Sequence, residues 1–168
     1  MTKISKKIFI DKILELKKDE EATFSLNEIS DTEILERKIK DKYIYSLINE
    51  SNFKKIQRNI NAALIPIIKL NNSATAYRKG YSYFDFLEPH AKKYNFLKID
   101  ISSFFYSLRI EDIKLALSHY IEDDYINDQT LLDILIRCIS YKIPDTSDNK
   151  KCHGLITLPI GFCTSPII

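Results

Sequence analysis

The chain has 168 residues, 45% of them hydrophobic and 29% charged, a balance that supports one globular domain with a core of its own. Lys and Arg number 25 against 23 Asp and Glu, so the net charge of +2 excludes nucleic-acid binding through overall charge, and any such binding has to be local. Three glycines exclude a Gly-rich phosphate loop, and three widely spaced cysteines, Cys138, Cys152 and Cys163, are expected to be free thiols in a reducing compartment.

Apolar residues recur at helical spacing from Ile4 to Leu16 among lysines, which predicts an amphipathic helix with a basic outer face, ended by the acidic run 19–21. Ser30 followed by Glu33 has the form of a capping box and predicts a helix through about Ile39. Lys42–Ile48 is aromatic and β-branched enough for a strand, with Asn49-Glu50-Ser51 as its turn. From Phe53 to Leu64, Ile56, Ile60 and Leu64 share one helical face, and Pro66 ends or kinks that helix. Pro66 also breaks the longest apolar run, 62–68, well short of the roughly 18 residues of a spanning helix. The Met1-Thr2-Lys3 start has no apolar signal core, so the expectation is a cytoplasmic protein that does not enter the membrane.

Ser82 opens a further predicted helix, interrupted near Pro89, and Tyr94–Ile101 reads as a buried strand. Helices are expected at about Ile110–Tyr120 and Gln129–Tyr141, on either side of the acidic loop 122–124. Pro144–Lys151 reads as a polar loop. After Leu155 comes a strand-like run, then Pro159, Gly161 and a helix-start pattern at Thr164-Ser165-Pro166, so the 168 residues are expected to stop within an element.

Three segments carry candidate chemistry. Asp100 ends an apolar run, where burial is costly without a partner or a metal, and Ser102-Ser103-Phe104 after it can turn backbone amides towards an anion. The commoner role of such an aspartate is a helix cap or a surface charge. Leu158-Pro159-Ile160-Gly161 marks either a close backbone approach to a ligand or a turn before a helix. Arg78 and Lys79, beside Gly80, can grip phosphate, although a solvated basic loop has the same composition. Cys152, His153 and Cys163 lack zinc-ligand spacing, and the aromatics Tyr81, Tyr83, Phe84 and Phe86 serve either base stacking or a core.

In this order, AYRKGYS, FLKIDISSFFYSL and LPIGFCTSP resemble three segments of the bacterial reverse transcriptases of the retron, group II intron and phage-defence kinds. They are similar to the link between fingers and palm, the strand-turn with the first catalytic aspartate, and the LPQGxxTSP signature. The stretch IQRNINAALIPIIKLNNSATAYRKG is similar as well, so the resemblance covers residues 55–168. It implies an α+β fold that is part of a right-hand polymerase, helix-rich with a small antiparallel sheet. Residues 1–54 would be an N-terminal helical extension and the start of the fingers, and 55–168 fingers and palm up to a point before the Tyr-x-Asp-Asp motif and thumb.

The resemblance further implies an RNA-directed DNA polymerase of antiviral defence, with an RNA template, a DNA or RNA primer and deoxynucleoside triphosphates as partners and two Mg²⁺ ions as cofactor. Asp100 maps onto the first metal-binding aspartate and the Ile101 carbonyl onto an auxiliary ligand. Amides of Ser103 and Phe104 would face the triphosphate, Phe105 would block a 2′-hydroxyl, and Gly161 would lie against the nascent base pair. Arg78 and Lys79 would contact template backbone or triphosphate. Ile160 stands where most members have Gln, which removes an amide that contacts nucleotide or template and points to the divergent phage-defence branch. Asp123-Asp124 is one residue too far from Tyr120 to be Tyr-x-Asp-Asp and precedes LPIG, so this chain alone is expected not to polymerise. A protein partner supplying the remaining palm and thumb is one expectation; a non-catalytic RNA-binding or regulatory module, or a decayed remnant, are the alternatives.

Overall fold

Ser5 accepts a hydrogen bond from the Ile8 amide and starts α1 (Lys6–Ile8), which widens into π-helical turns over Phe9–Leu14; the structure, a computed structural model, describes residues 2–69, 80–95 and 97–165. Phe9 and Ile13 are buried, as the spacing predicts, Ile10 is buried as well, and Glu15 ends the segment in the left-handed conformation. Ile4, ahead of the helix, forms a parallel bridge to Ile121, with the Ile4 amide donating to the Tyr120 carbonyl at 2.7 Å.

The Ser30–Glu33 capping box is present, the Glu33 carboxylate accepting from the Ser30 amide at 3.2 Å, but it opens only one 3₁₀ turn over Asp31–Glu33. The helix expected through Ile39 is instead strand β1 (Ile34–Ile39), paired antiparallel with β2 (Lys42–Leu47) from Ile34 opposite Leu47 to Ile39 opposite Lys42. Lys40, at a φ of 54°, and Asp41 make the two-residue turn that fits such a hairpin. A full ladder to an adjacent aromatic strand outweighs helix preferences of a few tenths of a kcal/mol per residue.

Ser51 caps α2 (Asn52–Leu64), its hydroxyl accepting from the Phe53 amide, and the helix stops ahead of Pro66. Phe53, Ile60 and Leu64 are buried and Ile56 is half-buried. In α3 (Tyr83–Leu87) the Asp85 carboxylate accepts from both the amide and the hydroxyl of Ser82, and Pro89 sits in a 3₁₀ turn, Glu88–His90, where the sequence predicts the interruption. The buried strand expected over Tyr94–Ile101 is not formed: among the described residues of that stretch nothing pairs with it, and Leu97, Ile99 and Ile101 are 85%, 77% and 63% exposed. An apolar alternation becomes a buried strand only when a neighbouring strand closes its hydrogen bonds and covers a face, and none of the described residues does so here.

Helices α4 (Phe104–Ser107), α5 (Ile110–Ser118) and α6 (Leu131–Ile139) follow, with a short antiparallel pair, β3 (Tyr125–Ile126) and β4 (Gln129–Thr130), between α5 and α6. After α6, β5 (Tyr141–Lys142) pairs antiparallel with β6 (Ile156–Thr157) across the polar loop. The arrangement is α+β: helices with small antiparallel sheets, three two-stranded pairs among the described residues in place of the single sheet expected. The core gathers where α2 meets the π-helical segment and α6, and α5 packs on α6. Ile13, Ile60, Leu64, Leu131, Ile134, Leu135 and Ile139 are wholly buried. Among the described residues no helix is long and apolar enough to cross a membrane.

Candidate functional site

The turn at Pro159–Phe162 is held from three sides. The Ile160 carbonyl accepts from the Tyr45 amide of β2 at 2.8 Å, the Thr157 hydroxyl donates to the Phe105 carbonyl of α4 at 2.7 Å, and the Asn61 amide of α2 donates to the Cys163 carbonyl at 2.8 Å. Gln57, buried in α2, donates to the Cys138 carbonyl at 2.9 Å, so one polar face of α2 fixes both the end of α6 and, through Asn61, this turn. Gly161 has a φ of +115°, and a Cβ on it would lie 2.5 Å from the Tyr45 carbonyl oxygen and 2.8 Å from the Ile44 Cγ2. Both the backbone conformation and the close approach to β2 therefore demand glycine.

These contacts bring the hairpin, the Asp100 segment and the Ile160 turn to the walls of one open groove of about 1170 Å³. Ser103, at a φ of 54°, leads the chain from the Asp100 segment into α4, a strained conformation for a residue with a side chain. Phe104 is exposed and Phe105 half-buried, their rings edge to face at 5.2 Å. The Tyr106 hydroxyl donates to the Tyr43 carbonyl at 3.3 Å, and the Tyr43 hydroxyl donates to the Asp148 carbonyl at 3.1 Å, which ties α4, β2 and the polar loop together. Behind them Tyr45 and Ser147 share a 3.2 Å hydrogen bond. Burial pushes the Tyr106 phenol up to about 12, with Tyr45 and Cys152 adding to the effect, and burial likewise raises Tyr45 against the opposing hydrogen bond of Ser147. These phenols stay neutral near pH 7 and act in positioning, Tyr106 as a donor to the Tyr43 carbonyl and Tyr45 through its shared bond with Ser147.

Asp100 is exposed on the groove and makes no hydrogen bond or ion pair among the described residues. Asp41 and Asp148 line the same groove, yet no group of three or more His, Cys, Asp or Glu among the described residues is arranged to hold a metal ion. One carboxylate and the neighbouring Ile101 carbonyl fit a Mg²⁺ ion that arrives on a polyphosphate and keeps most of its water, since Mg²⁺ commonly takes only one or two protein carboxylates beside substrate phosphates. They do not fit a cation caged by this chain alone.

The groove thus collects Asp100, Ile101, Ser103, Phe104, Phe105 and Ile160. Gly161, beside Ile160, packs on β2. Arg78 and Lys79 lie outside the described residues. Four further groove residues, Lys38, Lys42, Lys150 and Lys151, were not singled out by the sequence reading; the signal for them is the cation-rich hairpin Arg37-Lys38-Ile39-Lys40-Asp41-Lys42 and the Lys pair in the polar loop. Compared with known proteins, the chain matches no family model, and no solved structure matches it.

Proposed function

We propose that this chain is part of an RNA-directed DNA polymerase of the kind found in bacterial antiviral defence, and that the groove beside Asp100 takes a Mg²⁺-bound deoxynucleoside triphosphate. The observation that carries this reading is that the Asp100 turn and the Ile160 turn, far apart in sequence, share one groove and are joined by the Thr157–Phe105 hydrogen bond. The resemblance of both turns to reverse-transcriptase segments supplies the rest. Asp100 and the Ile101 carbonyl would hold the ion; when bound, it supplies charge stabilisation for the phosphates and activation of a primer 3′-hydroxyl. Phe105, wedged against Phe104, presents a bulky wall that selects against a 2′-hydroxyl. Ile160 offers an apolar contact to the nucleotide in place of an amide. The Tyr-x-Asp-Asp sequence does not occur in these 168 residues, so the property proposed for this chain by itself is nucleotide binding, with synthesis belonging to an assembly that adds those carboxylates.

Calorimetric titration with dTTP tests this. Binding is expected to require Mg²⁺ and to weaken about tenfold or more in Asp100→Asn, the range of one lost charge-assisted contact. Absence of binding, or binding indifferent to both Mg²⁺ and the substitution, overturns the reading.

A further inference from the structure

Residues 97–101, Leu-Lys-Ile-Asp-Ile, carry a strand pattern that none of the described residues completes. All five are exposed, and among the described residues they make no hydrogen bond or ion pair. Most of the exposed large apolar side chains of the described residues fall between Tyr81 and Phe104, and Leu97, Ile99 and Ile101 are among the most open of them. Free amides and carbonyls flanked by branched apolar side chains are a template for another strand.

The charges within the segment decide which strand fits. In a ladder successive side chains alternate, so Leu97, Ile99 and Ile101 would share one face and Lys98 and Asp100 the other. An antiparallel second copy centred on Ile99 sets Ile99 opposite Ile99, Leu97 opposite Ile101, and Lys98 opposite Asp100 on both sides of the two-fold axis. Sliding that register by two residues puts Lys98 against Lys98 or Asp100 against Asp100, and a parallel copy in register does both. Opposite charges facing each other support a ladder and like charges weaken it, so of the closed arrangements only the first matches both charges and keeps the apolar face continuous. Ser103, at a φ of 54°, ends the ladder soon after Ile101.

We infer that residues 97–101 are a self-pairing edge, through which two copies of this chain join as an antiparallel dimer centred on Ile99. The dimer does not rest on the nucleotide reading. Lys98 of the second copy and a Mg²⁺-bound triphosphate would compete for Asp100, so the two uses belong to different states of the chain.

Sedimentation of the full 168-residue chain over a concentration series, without nucleotide or Mg²⁺, tests it. The weight-average mass should climb from 19.6 kDa towards twice that value. Lys98→Asp and Asp100→Lys should each weaken self-association about tenfold or more, because both cross-strand pairs become like-charged. The double variant Lys98→Asp/Asp100→Lys should restore it, and so should an equal mixture of the two single variants. Ile99→Lys, which sets two ammonium groups against each other on the two-fold axis, should leave the chain monomeric. Far-UV circular dichroism of every variant should match wild type, since the segment is bonded to nothing else among the described residues. A wild-type mass that stays at 19.6 kDa throughout overturns the inference and leaves the nucleotide reading where it stands. A dimer indifferent to the single variants, or a mixture of folded single variants that stays monomeric, overturns it as well.

Discussion

Two grooves of this protein handle charge in opposite ways. The one beneath α6, of about 640 Å³, has Lys114, Asp133, Asp31, Tyr141 and Arg137 in its lining, and each of these five is bonded within the chain. Lys114 meets Asp133 at 2.7 Å, the Tyr141 hydroxyl donates to Asp31 at 2.9 Å, and Arg137 donates to the Leu26 carbonyl at 3.4 Å. In the Asp100 groove, Asp100 and the four lysines make no such pairs among the described residues. Charges spent on each other hold the fold; charges left side by side without neutralisation are available to a ligand. The contrast sets a groove closed by bonds within the chain apart from the one proposed to bind a nucleotide.

The largest effect expected is at the floor shared by hairpin and turn. Gly161→Ala drives a Cβ against the Tyr45 carbonyl and should destabilise the fold by about 1–3 kcal/mol, read as a lower midpoint of urea unfolding with an unchanged slope. Next is the cap of the structural groove: the Thr130 hydroxyl accepts from the Asp133 amide at 3.0 Å, and Thr130→Ala should cost about 0.5–2 kcal/mol. Asp133→Asn should cost less, about 0.2–1 kcal/mol, because its pair with Lys114 is partly exposed. The Lys114 ammonium and the Thr130 hydroxyl hold the Asp133 carboxyl below the usual range. A depressed carboxyl stabilises the fold in full above its unfolded value near 3.9 and loses that contribution as pH falls through the folded one. Acid unfolding curves of wild type and Asp133→Asn should therefore converge at low pH.

Asp100→Asn sharpens the comparison by its silence, with stability expected within about 0.5 kcal/mol of wild type in the same urea assay. A loss as large as that of Thr130→Ala would place Asp100 in the fold's own bonding and break the contrast. At the alkaline end, Tyr106 keeps its proton until about 12, above the unfolded value near 10. Its contribution is complete below pH 10 and is lost as pH rises from there towards 12, a limb of the thermal-melting profile that Tyr106→Phe should flatten.

Where the chain supplies its own partner, the elements were legible in the sequence. α2, α5 and α6 lie close to where the sequence places them, because helical hydrogen bonds are local and only one face needs a neighbour. Residues 34–39 and 97–101 were misread for the same physical cause, in opposite directions. The first carries a genuine helix cap and is overridden by a strand two residues away; the second carries a strand pattern and finds no strand among the described residues. Of the groove, Asp100, Ser103, Phe104 and Phe105 could be named from one contiguous segment. The groove lysines could not, since Lys38 and Lys42 are more than a hundred residues from Lys150 and Lys151, and the hairpin and polar loop that carry them are joined by the hydrogen bonds of Tyr43 and Tyr45.

The most direct test of the central claim asks where a nucleotide-bound cation settles. Mn²⁺ with dTTP, added to the ¹⁵N-labelled 19.6 kDa chain, should broaden the amide signals of Ile101, Ser102, Ser103 and Phe105 and spare those of Asp31, Asp133 and Tyr141 in the other groove. Broadening centred on Asp31 and Asp133, or spread evenly over the chain, would contradict the assignment of the Asp100 groove as the nucleotide site.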